Sequence, residues 1–375
     1  MKKILFLFGT RPEAIKMAPL VKTFYSDSNF IVKVGVTAQH REMLDQVLDF
    51  FKINVDYDLN IMKPNQSLHE LTSSLILKIT EDILSKEDFD YVFVQGDTTT
   101  VLAGALASFY KKIKVVHIEA GLRSHDNYSP FPEEINRILT SKIAHLHFCP
   151  THTAAENLER ENIKNNVFVV GNTVIDALLL GLDEIQNSSE NNLIDKYSNI
   201  DFDKKIMLVT CHRRENFGEP FEEICNALLE ISDLFRETIQ IVYPVHLNPN
   251  IMKIAHAKLT RENIKLISPL DYPDLIWMMN RSNIILTDSG GIQEEAPSLG
   301  KPVLVLREIT ERMEGVDAGT AILVGSDKEK IKSETIKLLT DDSYYLKISK
   351  ANNPYGDGTT SKKIKAILSS EDYFH

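Results

Sequence analysis

The sequence predicts an α/β fold of two Rossmann-like domains whose parallel sheets face each other across a cleft. Three observations carry that expectation. Short β-branched or aromatic runs alternate with longer helical patterns, the punctuation of βαβ units. The alternation lapses once, in a polar stretch from Asp183 to Lys205, and then resumes. At 375 residues the chain also exceeds the length over which one core keeps growing, so two domains of ordinary size are expected.

In chain order, the first half offers strands at Ile4–Phe8, Val32–Thr37, Tyr91–Gln95, Lys114–Ile118, Leu146–Cys149 and Val167–Val170. Helical stretches separate them, which makes the sheet parallel. The stretch Asp183 to Lys205 contains Gln186-Asn187-Ser188-Ser189-Glu190-Asn191-Asn192 and reads as the connection between domains. A second sheet follows at Ile206–Thr210, Ile239–Tyr243, Ile264–Ile267, Asn283–Thr287, Pro302–Leu306 and Ala321–Val324, with a mostly helical tail from Asp327. The expected domains are residues 1–183 and 184–354, with a C-terminal helix at about 355–375 packing back on the first.

Composition limits the partners. Lys plus Arg number 42 against 53 Asp plus Glu, a formal charge of −11, which repels nucleic acid and anionic membrane surfaces. Any phosphate must therefore be bound by local groups. Met1-Lys2-Lys3 followed by Ile4–Phe8 mimics a signal peptide, but the apolar run stops at Gly9-Thr10-Arg11-Pro12-Glu13, and no later run approaches membrane-spanning length. Cys149, Cys211 and Cys225 are odd in number and lack CxxC spacing, which suits unpaired thiols in a reducing compartment; a cytoplasmic location is expected.

In doubly wound sheets ligands lie beyond the carboxyl ends of the strands, so the residues just after each strand matter most. Here they are unusually polar: Gly9-Thr10-Arg11, Gln39-His40-Arg41, Gly96-Asp97-Thr98, Glu119-Ala120-Gly121, His212-Arg213-Arg214, His246 and Asp288-Ser289-Gly290-Gly291. Thr10 and Glu13 stand at capping-box spacing with Pro12 in the first turn, which accounts for the helix start but not for Arg11, a cation suited to phosphate. The turn at Ser289, Gly290 and Gly291 opens a helix whose free N–H groups can receive phosphate oxygens, or it is an ordinary tight turn with a serine cap. Glu295, one turn on, can hold ribose hydroxyls or simply favour the helix dipole, and Arg312 is a second possible anion contact.

Acid and base candidates stand among the same strand ends. Asp97 can accept a proton or cap the next helix. Glu119 directly follows the apolar run Val115-Val116-His117-Ile118, a partly desolvated place where an acid usually has a function or a partner. A long polar loop from Gly121 ends at Ser129-Pro130-Phe131-Pro132-Glu133-Glu134, and Glu133 is a third carboxylate that can reach the crevice. His212 is flanked by Arg213 and Arg214, a setting for sugar or phosphate, and His246 has a similar but weaker position. His145, His147, Cys149 and His152 lie close in sequence but lack HExxH or a second ligand pair, so no metal is expected.

Seven blocks occur in one order: residues 9–17, 37–44, 96–100, 119–123, 129–134, 212–216 and 288–295. Together they resemble the non-hydrolysing UDP-N-acetylglucosamine 2-epimerases over essentially residues 1 to 325. The resemblance implies a GT-B arrangement, usually a homodimer, and conversion of UDP-GlcNAc to UDP-ManNAc for cell-surface polysaccharide synthesis without a cofactor. It implies catalytic roles for Asp97, Glu119, Glu133 and His212, and UDP or substrate contacts for Arg11, Lys16, Arg213, His246, Ser289, Gly290, Gly291, Glu295 and Arg312. Gln39, His40, Glu42 and Gln66 match motifs of a second, allosteric substrate position. Gln95 and Cys211 stand where the commoner pattern has His and Gly. Other readings of the same residues are a hydrolysing relative, an epimerase of another UDP-2-acetamido sugar, a GT-B glycosyltransferase and a non-catalytic sugar-nucleotide sensor.

Overall fold

The computed structural model describes residues 1–37, 41–63, 66–188 and 190–370. The chain forms two compact units, Met1–Ala177 with the C-terminal segment from Tyr355, and Leu178–Pro354. The fold class is α/β with two parallel sheets, as the strand rhythm predicts.

In the first unit the strands are β1 (Lys2–Phe8), β2 (Phe30–Val36), β3 (Tyr57–Asp58), β4 (Tyr91–Gln95), β5 (Lys114–Ile118), β6 (Leu146–Cys149) and β7 (Val167–Val169). They pair in the order β3-β2-β1-β4-β5-β6-β7. Helices α1 (Arg11–Tyr25), α2 (Arg41–Phe50), α3 (Leu68–Ile79), α4 (Thr99–Tyr110), α5 (Glu133–Ile143) and α6 (His152–Arg160) connect them, and α7 (Thr173–Ser188) begins in this unit and continues into the second. The sheet is buried on both faces. Leu5 and Leu7 of β1 join Val92 and Val94 of β4 and Leu75 and Ile79 of α3 in one core. Phe6 points the other way and meets Phe24 of α1 and Phe93 of β4 at centroid distances of 5.8 and 4.7 Å.

In the second unit, α8 (Glu190–Lys196) precedes β8 (Lys205–Thr210), β9 (Ile239–Pro244), β10 (Ile264–Ile267), β11 (Ile284–Thr287), β12 (Val303–Val305) and β13 (Ala321–Leu323). Their order is β10-β9-β8-β11-β12-β13. Between and beyond them run α9 (Glu219–Leu234), α10 (Pro249–Lys258), α11 (Tyr272–Arg281), α12 (Gly290–Glu295), α13 (Met313–Asp317), α14 (Lys328–Thr340) and α15 (Asp342–Ser349). The last helix, α16 (Thr360–Ser369), belongs to the first unit, where the Asp176 carboxylate accepts the Thr360 and Ser361 N–H groups at 3.2 and 2.7 Å.

Each sheet reverses its winding once, between β1 and β4 in the first and between β8 and β11 in the second. At such a switch point the connections leave in opposite directions and open a crevice at the strands' carboxyl ends. Gly9–Arg11 and Asp97 flank the first switch point; His212 and Asp288–Gly291 flank the second.

Two features add to the sequence expectation. Within 183–205, read from sequence as the connection between domains, α7 runs on to Ser188 and α8 follows. Leu178, Leu182 and Ile185 are buried at helical spacing, and that apolar stripe outweighs the polar run beside it. The two-residue strand β3 escapes notice because two residues carry no alternation to read.

Candidate active site

The turn after β1 is built around Glu13. Its carboxylate accepts Gly9 N–H and Thr10 N–H at 3.2 and 2.8 Å on Oε2, and the Thr98 hydroxyl at 2.9 Å on Oε1. The capping box anticipated for α1 therefore also ties this turn to the one after β4, next to Asp97. Burial pushes the Glu13 carboxyl up to about 7, against the opposing hydrogen bonds from Thr10, Thr98 and Gly9. Arg11 is left half-buried, making no hydrogen bond or ion pair among the described residues.

Asp97 and Glu119 stand at the ends of the neighbouring strands β4 and β5, each held by its own cation. Arg137 of α5 donates to Asp97 Oδ2 through Nε at 2.8 Å and lies 2.6 Å away through Nη2. Its third nitrogen, Nη1, reaches Glu134 Oε2 at 2.9 Å, while Glu134 also accepts Ser124 N–H and His125 N–H, both at 3.0 Å. Burial raises the Asp97 carboxyl above its ordinary value; Arg137 opposes the rise and the Glu119 charge adds to it. The same burial acts on Glu134, but the two loop N–H groups and Arg137 outweigh it and hold that carboxyl low.

Glu119 receives Lys16 Nζ on both oxygens, at 2.6 and 2.7 Å, together with the Gln95 amide on Oε2 and the Asn172 amide on Oε1 at 3.2 Å. Its backbone has φ +63°, a left-handed conformation that costs a non-glycine residue on the order of 1 kcal/mol. Gly121, at φ +89°, completes the turn, because a Cβ there would lie 2.1 Å from the Ala154 carbonyl oxygen. His117 supports the same region through Nε2, 2.8 Å from the Gly96 carbonyl, and burial drives its imidazole down to about 4, so it is neutral at pH 7. Glu133 heads α5 half-buried; among the described residues it is Glu134, one position on, that joins the Asp97 network.

In the second unit Asp288 is fully buried at the end of β11. Thr210 and Thr287 are register partners with hydroxyls 2.6 Å apart, which sets Asp288 beside the segment leaving β8. Asp288 Oδ2 accepts His212 N–H and Arg213 N–H, both at 2.8 Å, and the Asn216 amide at 3.1 Å. Oδ1 lies 3.3 Å from His212 Nδ1. The His212 ring is stacked on that of His246, with centroids 5.8 Å apart and planes 19° from parallel. Ser289 spends its own N–H on Thr287 Oγ1 at 3.0 Å, so Gly290 and Gly291 present the open first-turn N–H groups of α12. Arg312 packs on Gly290, where an added Cβ would meet its Cζ at 3.1 Å, and bonds Glu294 at 3.0 Å and Glu311 at 2.8 Å. Glu295 is buried, with the Tyr272 hydroxyl 3.5 Å away.

The site residues expected in the first unit thus gather as Lys16 with Glu119, Asp97 close enough to feel the Glu119 charge, and Arg11 on the adjoining turn. Those in the second gather as His212 with His246 and as Gly290 with Arg312. Gln39 and His40 lie outside the described residues; Glu42 is exposed in the first turn of α2, and Gln66 Oε1 accepts Lys63 N–H at 3.3 Å. Arg137, Glu134 and Asn172 were not singled out by sequence, and Asp288 was named there only as part of the polar turn after a strand. Asp288 and Asn172 carried a signal, since each follows a strand. Among the described residues no group of three or more His, Cys, Asp or Glu could hold a metal ion, and no helix is long and apolar enough to cross a membrane.

The sequence profile of the UDP-N-acetylglucosamine 2-epimerase family matches residues 22–369. The chain is 55% identical over 370 residues to the UDP-N-acetylglucosamine 2-epimerase of Escherichia coli K12, covering 98% of each chain. It is 50% identical over 374 residues to that of Campylobacter jejuni, covering 98% of this chain and 97% of the relative. Among solved structures, it is similar to the UDP-GlcNAc 2-epimerase from Neisseria meningitidis bound to UDP-GlcNAc, with a TM-score of 0.86, 49% identity and coverage of 98% and 99% of the two chains. It is also similar to the S. aureus MnaA–UDP complex, with a TM-score of 0.82, 48% identity and coverage of 98% and 96%.

Proposed function

Since the chain belongs to the UDP-N-acetylglucosamine 2-epimerase family, we propose that it interconverts UDP-GlcNAc and UDP-ManNAc without hydrolysis, by elimination and re-addition of UDP. The hydrogen on C2 is not α to a carbonyl, so no side-chain base removes it from the intact sugar at a useful rate. The C1–O bond breaks first, its electron pair leaving on the UDP β-phosphate. Oxocarbenium character at C1 then acidifies C2, a carboxylate takes the proton, and a C1–C2 double bond forms, giving 2-acetamidoglucal and bound UDP. A proton delivered to the opposite face of C2, with return of UDP to C1, yields the epimer. Nothing is oxidised or reduced overall, so no nicotinamide is required.

The observation that carries this reading is the pair of carboxylates on adjacent strand ends, each restrained by a separate cation: Asp97 by Arg137 and Glu119 by Lys16. Proton traffic on two faces of one carbon calls for more than one acid/base group, whereas simple glycosyl transfer calls for a single base. Asp97 serves as base through Oδ1, since Arg137 engages Oδ2, and Glu119, Glu133 and His212 complete the set. UDP is held by Arg11, Lys16, Arg213, His246, Arg312, the Ser289–Gly291 turn and Glu295, with anionic oxygens at the N–H groups and cations. The product feeds cell-surface polysaccharide assembly, and Gln39, His40, Glu42 and Gln66 form a second, activating substrate position. The three free, buried cysteines suit a reducing cytoplasm. Exposed Leu77, Phe109, Tyr110 and Leu139, on the packed helices α3, α4 and α5, suit a homodimer contact. Incubation with UDP-GlcNAc followed by proton and phosphorus NMR tests the reading: a second UDP-sugar with no free sugar is expected. Free ManNAc with UDP would instead indicate hydrolysis, and unchanged substrate would refute both.

A further inference from the structure

The three N–H donors that reach the buried Asp288 carboxylate all converge on Oδ2, leaving Oδ1 without a hydrogen bond although it is enclosed by protein. A buried carboxylate oxygen in that condition is costly unless a partner is reserved for it. The Cys211 thiol also lies against the Asp288 side chain, and the imidazole of His212 faces Oδ1 through Nδ1 at 3.3 Å. We propose that Asp288 is a positioning residue for the reaction: it fixes His212 in the Nδ1–H tautomer and so makes Nε2 the atom that exchanges a proton with substrate or leaving group. This rests on the epimerase reading above for the reaction, but the tautomer itself is a property of the resting protein.

The stacked partner carries the opposite tautomer. His246 Nδ1 accepts the Asn248 N–H at 3.1 Å, so the proton of its neutral ring sits on Nε2. Two parallel imidazoles therefore present unlike Nε2 atoms, a proton acceptor on His212 and a hydrogen-bond donor on His246. The assignment follows from fixed donors and acceptors: a carboxylate can only accept, and a backbone N–H can only donate.

Asp288→Asn tests this with little change of shape. Its carbonyl oxygen must take the place of Oδ2, because the opposite orientation would set an amide NH₂ against three N–H donors. The NH₂ then faces His212 Nδ1 and demands a lone pair there, reversing the tautomer to Nε2–H. The prediction is a fall in kcat of about 10²–10⁴-fold with KM for UDP-GlcNAc within about threefold of wild type. In ¹⁵N-histidine NMR at a pH where the ring is neutral, with His212→Asn supplying the assignment, wild type shows a protonated Nδ1 and the variant a protonated Nε2. Two results overturn the proposal: wild-type His212 protonated on Nε2, or a reversed tautomer that leaves kcat within about threefold. If the variant does not fold, the wild-type spectrum decides. Failure of the epimerase reading is seen separately, as wild type that makes no second UDP-sugar.

Discussion

Glu13→Gln should stabilise the protein above neutral pH and do almost nothing below pH 5. The Glu13 carboxyl sits at about 7 in the folded protein, where burial is the largest influence, against an ordinary 4.5. Between those two values the folded state binds more protons than the unfolded chain, so stability drains away as pH rises. The contribution is fully present below 4.5 and fully lost above 7. At about 1.4 kcal/mol for each tenfold change in proton affinity, the loss is about 3 kcal/mol. Glutamine keeps the contacts. Its carbonyl oxygen can accept Gly9 N–H and Thr10 N–H, and its amide can face the Thr98 hydroxyl, which reorients to accept. For a domain of this size 1 kcal/mol moves Tm by roughly 2–4 °C, so the variant should melt about 6–12 °C above wild type at pH 8.5 and level with it at pH 4.5. Circular dichroism melts at the two pH values measure this. A Tm difference that is the same at both would refute the reasoning, whatever its sign.

Three further outcomes follow from the same geometry. Arg137→Gln removes the charge that opposes the upward push of burial on Asp97, so the acid limb of kcat/KM moves to higher pH; Arg137→Lys moves it less, and an unmoved limb would exclude Asp97 as the base. Gly121→Ala sets a Cβ 2.1 Å from the Ala154 carbonyl oxygen in a left-handed backbone, and should cost about 3 kcal/mol or more in urea unfolding. Gly290→Ala presses on Arg312, whose guanidinium is held by Glu294 and Glu311, so the Kd for UDP measured by calorimetry should rise about tenfold, equivalent to about 1.4 kcal/mol.

Strands buried on both faces announce themselves, because runs such as Ile4–Phe8 and Ile206–Thr210 have no solvent side to interrupt them. Once the strands are placed, the topology makes the residues after them the candidates, which is why Arg11, Asp97, Glu119, His212 and the Ser289 turn stand out in the sequence as candidates. Arg137 was not, because a basic residue inside an amphipathic helix reads as solvated surface until the helix is docked; here it is only 16% exposed and bridges Asp97 to Glu134. Asn172 donates to Glu119 across 53 positions, a pairing that no local pattern encodes. Asp288 was visible as a residue of the turn, but its role depends on the β8–β11 pairing that brings His212 alongside. The end of α7 within 183–205 is hard to read locally because polar residues there outnumber the apolar stripe that docks the helix.

The measurement that bears most directly on the proposed chemistry is the fate of the C2 hydrogen. Purified protein incubated with UDP-GlcNAc in deuterium oxide, followed by proton NMR, reports turnover and solvent exchange together. The account predicts that UDP-ManNAc appears and that deuterium enters at C2. Retention of the C2 hydrogen in a newly formed UDP-sugar would contradict proton transfer through Asp97, Glu119 and their partners.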